Sequence, residues 1–174
     1  DLLEYSRVSR KNKSFRSTDL LECVRNAQVL LDASICETGA MIEVSDLPVV
    51  MADSSQLIRL FQNLMGNALK YRTDAVPRIE ISSERTEDDD GCWTIRVKDN
   101  GIGIDPEHAD RVFVIFQRLH TQKEYPGTGI GLAVSRRIVE RHGGRIHVES
   151  NEDGGSTFVF TLLDELETPA SSDV

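Results

Sequence analysis

Three polar residues in the stretch QNLMGNALKY could do chemistry together. Asn63, Asn67 and Lys70 recur at i, i+4 and i+7, so one helical face carries two amides and an ammonium. A solvated face is the competing reading, but it would favour Glu, Lys or Gln, because two Asn with Gly66 cost roughly 2 kcal/mol of helix propensity relative to Ala. An amide oxygen is a hard, neutral ligand suited to Mg2+, an ion that keeps waters and takes its other ligands from substrate phosphates. Asn67 is therefore the candidate metal ligand. In VKDNGIGI, Asp99 ends a strand and Gly101 and Gly103 follow two residues apart. A carboxylate beside backbone that a flat ring can approach could accept a hydrogen bond from an exocyclic amino group such as that of adenine, although DNG is as readily a plain turn. GTGIGLAV sets Gly127, Gly129 and Gly131 at every second position and runs straight into a helical pattern. Backbone N–H groups and the positive helix end would there be aimed at phosphate, with the packing of a tight turn as the alternative. GGST, residues 154–157, would mean little by itself.

These residues need elements to hold them. DLLECVRNAQVLLD puts Leu20, Leu21, Val24, Ala27, Leu30 and Leu31 on one helical face, with Asp19 and Glu22 as a cap pair. SSQLIRLFQNLMGNALKY is a second helix capped by Asp53 or Ser54, and about Leu132 to His142 a third. A short strand is expected around Phe15, then MIEV and PVVMA; RIEISSER and CWTIRVKD form a hairpin across the acidic turn TEDDDG, and RIHVES and STFVFTLL close the chain. From Gly101 to Gly131 the pattern is irregular, and a loop of that length inside a compact domain is usually functional.

A chain of 174 residues with 39% hydrophobic and 28% charged residues suits one globular domain. A formal charge of -9 argues against nucleic acid or an anionic membrane surface, and no apolar run is long enough to span a bilayer. Cys23, Cys36 and Cys92 lack metal-binding spacing and read as reduced, mostly buried thiols, and with no signal-peptide pattern at the start this points to the cytoplasm. No internal repeat is present.

In this order, QNLMGNALKY, DNGIGI, VFVIFQR, GTGIGL and GGSTF resemble the N, first glycine, F, second glycine and third glycine boxes of sensor histidine kinases. The resemblance covers about residues 14 to 163, and VFVIFQRLHTQKEYPGTGIGLAVSRRIVERHGGRI is especially similar to kinases of the phytochrome type and related PAS-linked sensors. It implies the GHKL ATPase fold, a two-layer α/β sandwich with a mixed, largely antiparallel sheet backed by helices, and a mobile ATP lid at about 105–130. ATP and Mg2+ are the implied cofactors. By the same resemblance Asn67 would coordinate Mg2+, Asn63 and Lys70 would contact phosphate or ordered water, and Tyr71 would border the nucleotide. Asp99 would accept from adenine N6, with Gly101, Gly103 and Ile104 beside the ring. Phe113 and Phe116 would anchor the lid and Arg118 would approach the terminal phosphate. Gly127, Thr128, Gly129, Ile130, Gly131 and Leu132 would line the phosphates, and Thr157 is a weaker adenine-side candidate. Ile115 stands where the F box often has proline, which bears on lid rigidity.

Such kinases phosphorylate a histidine on a dimerisation helix. His108, His120, His142 and His147 do not match that site, and DLLEYSRV resembles the end of a dimerisation helix. The expected organisation is 1–13 as helix end and linker, 14–164 as the ATP-binding domain and 165–174 as a disordered tail. The implied partners are the protein's own dimerisation domain and a response-regulator receiver domain, with a homodimer at full length and a monomer for this piece. A gyrase-like ATPase would use a Glu where Asn63 stands, and an amide cannot act as general base. A catalytically silent nucleotide-binding module is the third reading, against which the intact Asn67, Asp99 and glycine boxes count.

Overall fold

The computed structural model describes residues 15–85, 91–117 and 128–164. Its elements are β1 (Arg16–Asp19), α1 (Leu20–Leu30), α2 (Asp32–Thr38), β2 (Met41–Val44), β3 (Val49–Ala52), α3 (Ser54–Lys70), β4 (Arg78–Arg85), β5 (Cys92–Asp99), α4 (Gly131–Arg141), β6 (Ile146–Ser150) and β7 (Ser156–Leu163). Two 3-10 turns, Pro106–His108 and Arg111–Phe113, precede α4. Side-chain caps set the starts of α1 and α3. Asp19 Oδ1 accepts from the Leu21 and Glu22 N–H groups at 2.8 and 3.4 Å, and Asp53 Oδ1 accepts from Ser55 and Gln56 at 3.1 and 3.3 Å. Of the two residues expected to cap the long helix, Asp53 is the one that does.

Five strands form one sheet in the order β2-β4-β5-β7-β6, and β1 pairs with β3 in a separate two-stranded ribbon. Only the β2–β4 pairing within the large sheet is parallel, so the sheet is mixed and largely antiparallel, as expected. Period-two alternation sorts its faces. The register aligns Ile81, Val97, Phe158 and Val148 on the buried face and Glu80, Lys98, Thr157 and Glu149 on the opposite one. Against the buried face α3 lays Leu57, Leu60, Phe61 and Leu64, all fully buried, with Phe61 edge-on to Phe160 at 5.9 Å between ring centroids.

Two features differ from expectation. The helix α2 was not anticipated, because none of its seven residues is buried and DASICET carries no apolar stripe; Gly39, at φ 63°, ends it. In the irregular stretch before α4, Val112 and Phe113 are buried and Phe113 meets Phe158 edge-on at 6.4 Å. Phe113 is the anchor expected there, but Phe116 is not. It is 61% exposed with φ 63°, and what holds it is its backbone N–H, which donates to Gly129 O at 3.2 Å.

Candidate functional site

The C-terminal half of α3, the end of β5 and the first turn of α4 converge on a cleft of about 260 Å3, near the lower end of the ~300–1,000 Å3 usual for small-molecule sites. Asn67, Lys70 and Tyr71 reach it from α3 and its end, Asp99 from β5, and Gly103 and Ile104 from the loop that follows. Thr128, Gly129, Gly131 and Leu132 close the far side. The structure thus brings together most of the residues singled out by sequence. Arg118 and Gly127 lie outside the described residues.

Asp99 is tied on one side only. Its Oδ1 accepts from the Gly101 N–H at 2.8 Å and from the Ser156 N–H at 3.3 Å, and no described residue donates to Oδ2. Burial pushes the carboxyl above its ordinary pKa, against the lowering effect of those two backbone bonds. A half-desolvated acceptor with one oxygen unused suits a neutral N–H donor on a ligand. The neighbouring glycines have a packing reason. A Cβ on Gly101 would run into the Tyr71 carbonyl oxygen, and one on Gly155, at φ 84°, into the Asp99 carbonyl oxygen. Gly101 therefore lets the end of α3 close over the β5 loop and does not itself line the cleft, whereas Gly103 does.

The polar stripe of α3 divides its work. The Asn67 side chain borders the cleft and makes no hydrogen bond to any described residue. Lys70 Nζ donates to the Tyr71 hydroxyl at 2.9 Å and lies 4.4 Å from that ring's centroid, so in this state the ammonium rests on the aromatic at the rim. Asn63 stands farther along. Its Nδ2 donates to Gly131 O at 3.0 Å and to Ser135 Oγ at 3.4 Å, joining α3 to the first turn of α4. Its amide nitrogen thus serves the scaffold, and a ligand could engage only Oδ1. Ile130 is buried beneath the turn, 4% exposed.

Thr157 is not a cleft residue. Standing between Ser156 and Phe158 on β7, it points to the outer face, where Oγ1 donates to Asn151 Oδ1 at 2.6 Å. The cleft is lined instead by its two neighbours. Ser156, 3% exposed, was missed, although pairing β7 against β5 by alternation would have separated it from Thr157. Gln117 was also missed; its Oε1 accepts from Arg111 Nε at 3.2 Å, and only its place beside Arg118 in FQR hinted at it.

The donor set fits the groups implied by sequence. No group of three or more His, Cys, Asp or Glu among the described residues could hold a metal by itself, so a divalent cation would rest on the unpaired Asn67 amide and on oxygens brought by a ligand. Asp99 offers the acceptor a purine amino group needs. Among the described residues no helix is long and apolar enough to cross a membrane.

Comparison with known proteins agrees with this geometry. Residues 52–166 match the family of histidine kinase-, DNA gyrase B-, and HSP90-like ATPases. The chain is 51% identical over 162 residues to cyanobacterial phytochrome A of Nostoc sp., which covers 93% of this chain and 21% of that protein; the chain therefore spans about a fifth of that relative's length. Full-length ShkA, solved in complex with AMPPNP, superposes with a TM-score of 0.75 at 26% identity, over 92% of this chain and 34% of that one. Histidine kinase ThkA, solved in complex with the response regulator TrrA, superposes with a TM-score of 0.71 at 26% identity, over 94% of this chain and 45% of that one. The chain belongs to the histidine kinase-, DNA gyrase B- and HSP90-like ATPase family, as an ATP-binding catalytic domain of the histidine-kinase kind.

Proposed function

We propose that the cleft binds ATP with Mg2+ and that the full-length protein transfers the γ-phosphoryl group to a histidine on its own dimerisation helix. The observation that carries this reading is Asp99, with one oxygen locked to backbone and the other unused, in the same cleft as the unpaired Asn67 amide. Asp99 selects adenine by accepting from its amino group. Lys70, released from Tyr71, and Arg118 neutralise phosphate, and the N–H groups of the Gly127–Leu132 stretch bind phosphate oxygens. A bound Mg2+ held by Asn67 supplies charge neutralisation across the phosphates. In the transfer the acceptor imidazole nitrogen forms the N–P bond as the bond from phosphorus to the bridging oxygen breaks and ADP departs. The domain's contribution is position and electrostatics, since no described side chain is placed as a general base for water: Asn63 is an amide committed to α4. Hydrolysis is correspondingly slow, which separates this domain from gyrase-like ATPases.

The same reading gives residues 1–13 as the end of a dimerisation helix with its linker, 105–130 as the lid and 165–174 as a tail. It makes the full-length protein a cytoplasmic homodimer whose phosphohistidine serves a receiver domain; ThkA, solved with a response regulator, is a structural relative. Labelled ATP tests it. Residues 1–174 alone should bind nucleotide and gain no phosphohistidine, and adding the protein's own dimerisation domain should produce it. Phosphate on His108, His120, His142 or His147 of the isolated domain would overturn the assignment.

A further inference from the structure

The two helices that carry the cleft, α3 and α4, run antiparallel and are tied at two levels. Beside the cleft, Asn63 Nδ2 donates to Gly131 O. About ten residues away along both helices, some 15 Å at the α-helical rise, Arg141 Nη1 meets Asp53 Oδ2 at 3.2 Å, the two side chains 15% and 5% exposed. His142 completes this second tie. Its Nε2 accepts from the Asp53 N–H at 3.1 Å and its Nδ1 donates to Ile138 O at 2.7 Å, partners that require the neutral ring with its proton on Nδ1. Phe15 stacks on that ring, 4.5 Å between centroids and 17° from parallel, and the Arg141 guanidinium lies 5.3 Å from the Phe15 centroid.

Nothing in the cleft's chemistry uses His142, and a purely apolar contact would need no imidazole there. Nε2 joins the C-terminal end of α4 to the cap of α3, Nδ1 fixes the ring to the last turn of α4 itself, and Phe15, just ahead of β1, covers the joint. We propose that His142 is a positioning residue of the nucleotide site: stacked against Phe15, it sets how α4 lies along α3, and hence where the first turn of α4 stands relative to Asn67 and Lys70. The inference rests on the cleft being a nucleotide site. Packed helices move as rigid bodies, so a shift at this joint reaches the far tie at Asn63 and Gly131. The position of the chain at Phe15 and the shape of the cleft then depend on each other, and by linkage nucleotide must act back on the joint. The charged groups facing His142 are Arg141 on its own helix and Asp53 on the cap of α3. Burial holds the ring's pKa below the ordinary histidine value, so the joint is closed at neutral pH. Protonation would set a second N–H against the Asp53 N–H and a cation beside Arg141, with the Asp53 carboxylate in partial compensation.

The test uses residues 1–174, the variants Phe15→Ala and His142→Leu, and their combination. Affinity for AMPPNP with Mg2+ is measured by calorimetry, folding by thermal melts, and the ring states of His142 and His147 by 15N NMR. Each variant should bind about 3- to 10-fold more weakly while folded, and the pair together no worse than the weaker single. In the wild type, saturating nucleotide should shift the His142 ring signals and lower its pKa further, while the ring signals of exposed His147 stay where they were. Affinity within twofold of wild type in the folded variants, or His142 signals indifferent to nucleotide, would reduce the joint to a structural contact and overturn the proposal. Should a variant fail to fold, the wild-type ring titration decides alone. A wild type that binds no nucleotide at all would instead defeat the functional reading beneath it.

Discussion

Replacing Asp99 by Asn changes one atom and inverts one hydrogen bond. The amide oxygen can keep both backbone donors, Gly101 at 2.8 Å and Ser156 at 3.3 Å, so the NH2 group takes the position of the unused Oδ2 and presents a donor to the adenine amino donor. The lost bond is to a charged acceptor, worth about 1.5–3 kcal/mol, which corresponds to an ATP affinity about 10- to 150-fold weaker. Inosine triphosphate carries a carbonyl acceptor where adenine has its amino group. Its affinity for Asp99→Asn should fall much less or rise, and the preference between the two nucleotides should narrow or reverse. The apo variant should be at least as stable as wild type at pH 7. Burial raises the Asp99 pKa, so between its ordinary value and the folded one the native state holds the extra proton. Stability therefore falls as pH rises through that window, and the amide abolishes the fall. Calorimetry with both nucleotides, alongside urea unfolding, measures all of this. Equal affinity of wild type and Asp99→Asn for ATP in a folded variant would remove Asp99 from base recognition and refute the reasoning.

Three further outcomes follow from particular contacts. Gly155→Ala drives a Cβ into the Asp99 carbonyl at a positive φ and should cost about 2–4 kcal/mol in urea unfolding; a loss under about 0.5 kcal/mol would contradict the close approach. Asn63→Ala removes the tie to Gly131 O and Ser135 Oγ and should weaken ATP binding while leaving the Mg2+ dependence of that binding intact; loss of the Mg2+ dependence would make Asn63 a metal ligand instead. At pH 8 iodoacetamide should modify exposed Cys36 readily and Cys23 only on unfolding, because burial pushes the Cys23 thiol up to about 12; equal rates in the native protein would contradict that burial.

Much of the cleft could be read from the chain because its chemistry is local. Asn67 and Lys70 share a helical face by spacing alone, Asp99 ends a strand whose alternation is clear, and Gly129 and Gly131 sit at a helix start. What the sequence left unread depends on the partner across space. Asn63 has the same spacing as Asn67, yet α4 arrives beside it and claims its amide. Thr157 and Ser156 are adjacent in GGST, and the register against β5 decides which of them meets the ligand. Phe116 has the hydrophobicity of an anchor, but its positive φ turns it outward, while Phe113 finds Phe158. The joint at His142 escaped notice because Phe15, Asp53 and the Arg141–His142 pair lie far apart along the chain and each is ordinary by itself.

Calorimetric titration of ATP into residues 1–174, with Mg2+ and with Mg2+ chelated, for wild type and Asn67→Ala, tests the central claim most directly. Asn67 is one neutral ligand and cannot hold the ion without phosphate oxygens, so metal and nucleotide should bind as a unit. The wild type should bind ATP markedly more tightly with Mg2+ present, and Asn67→Ala should lose most of that difference while remaining folded. Affinity that ignores both the chelator and the substitution would contradict a Mg-ATP site in this cleft.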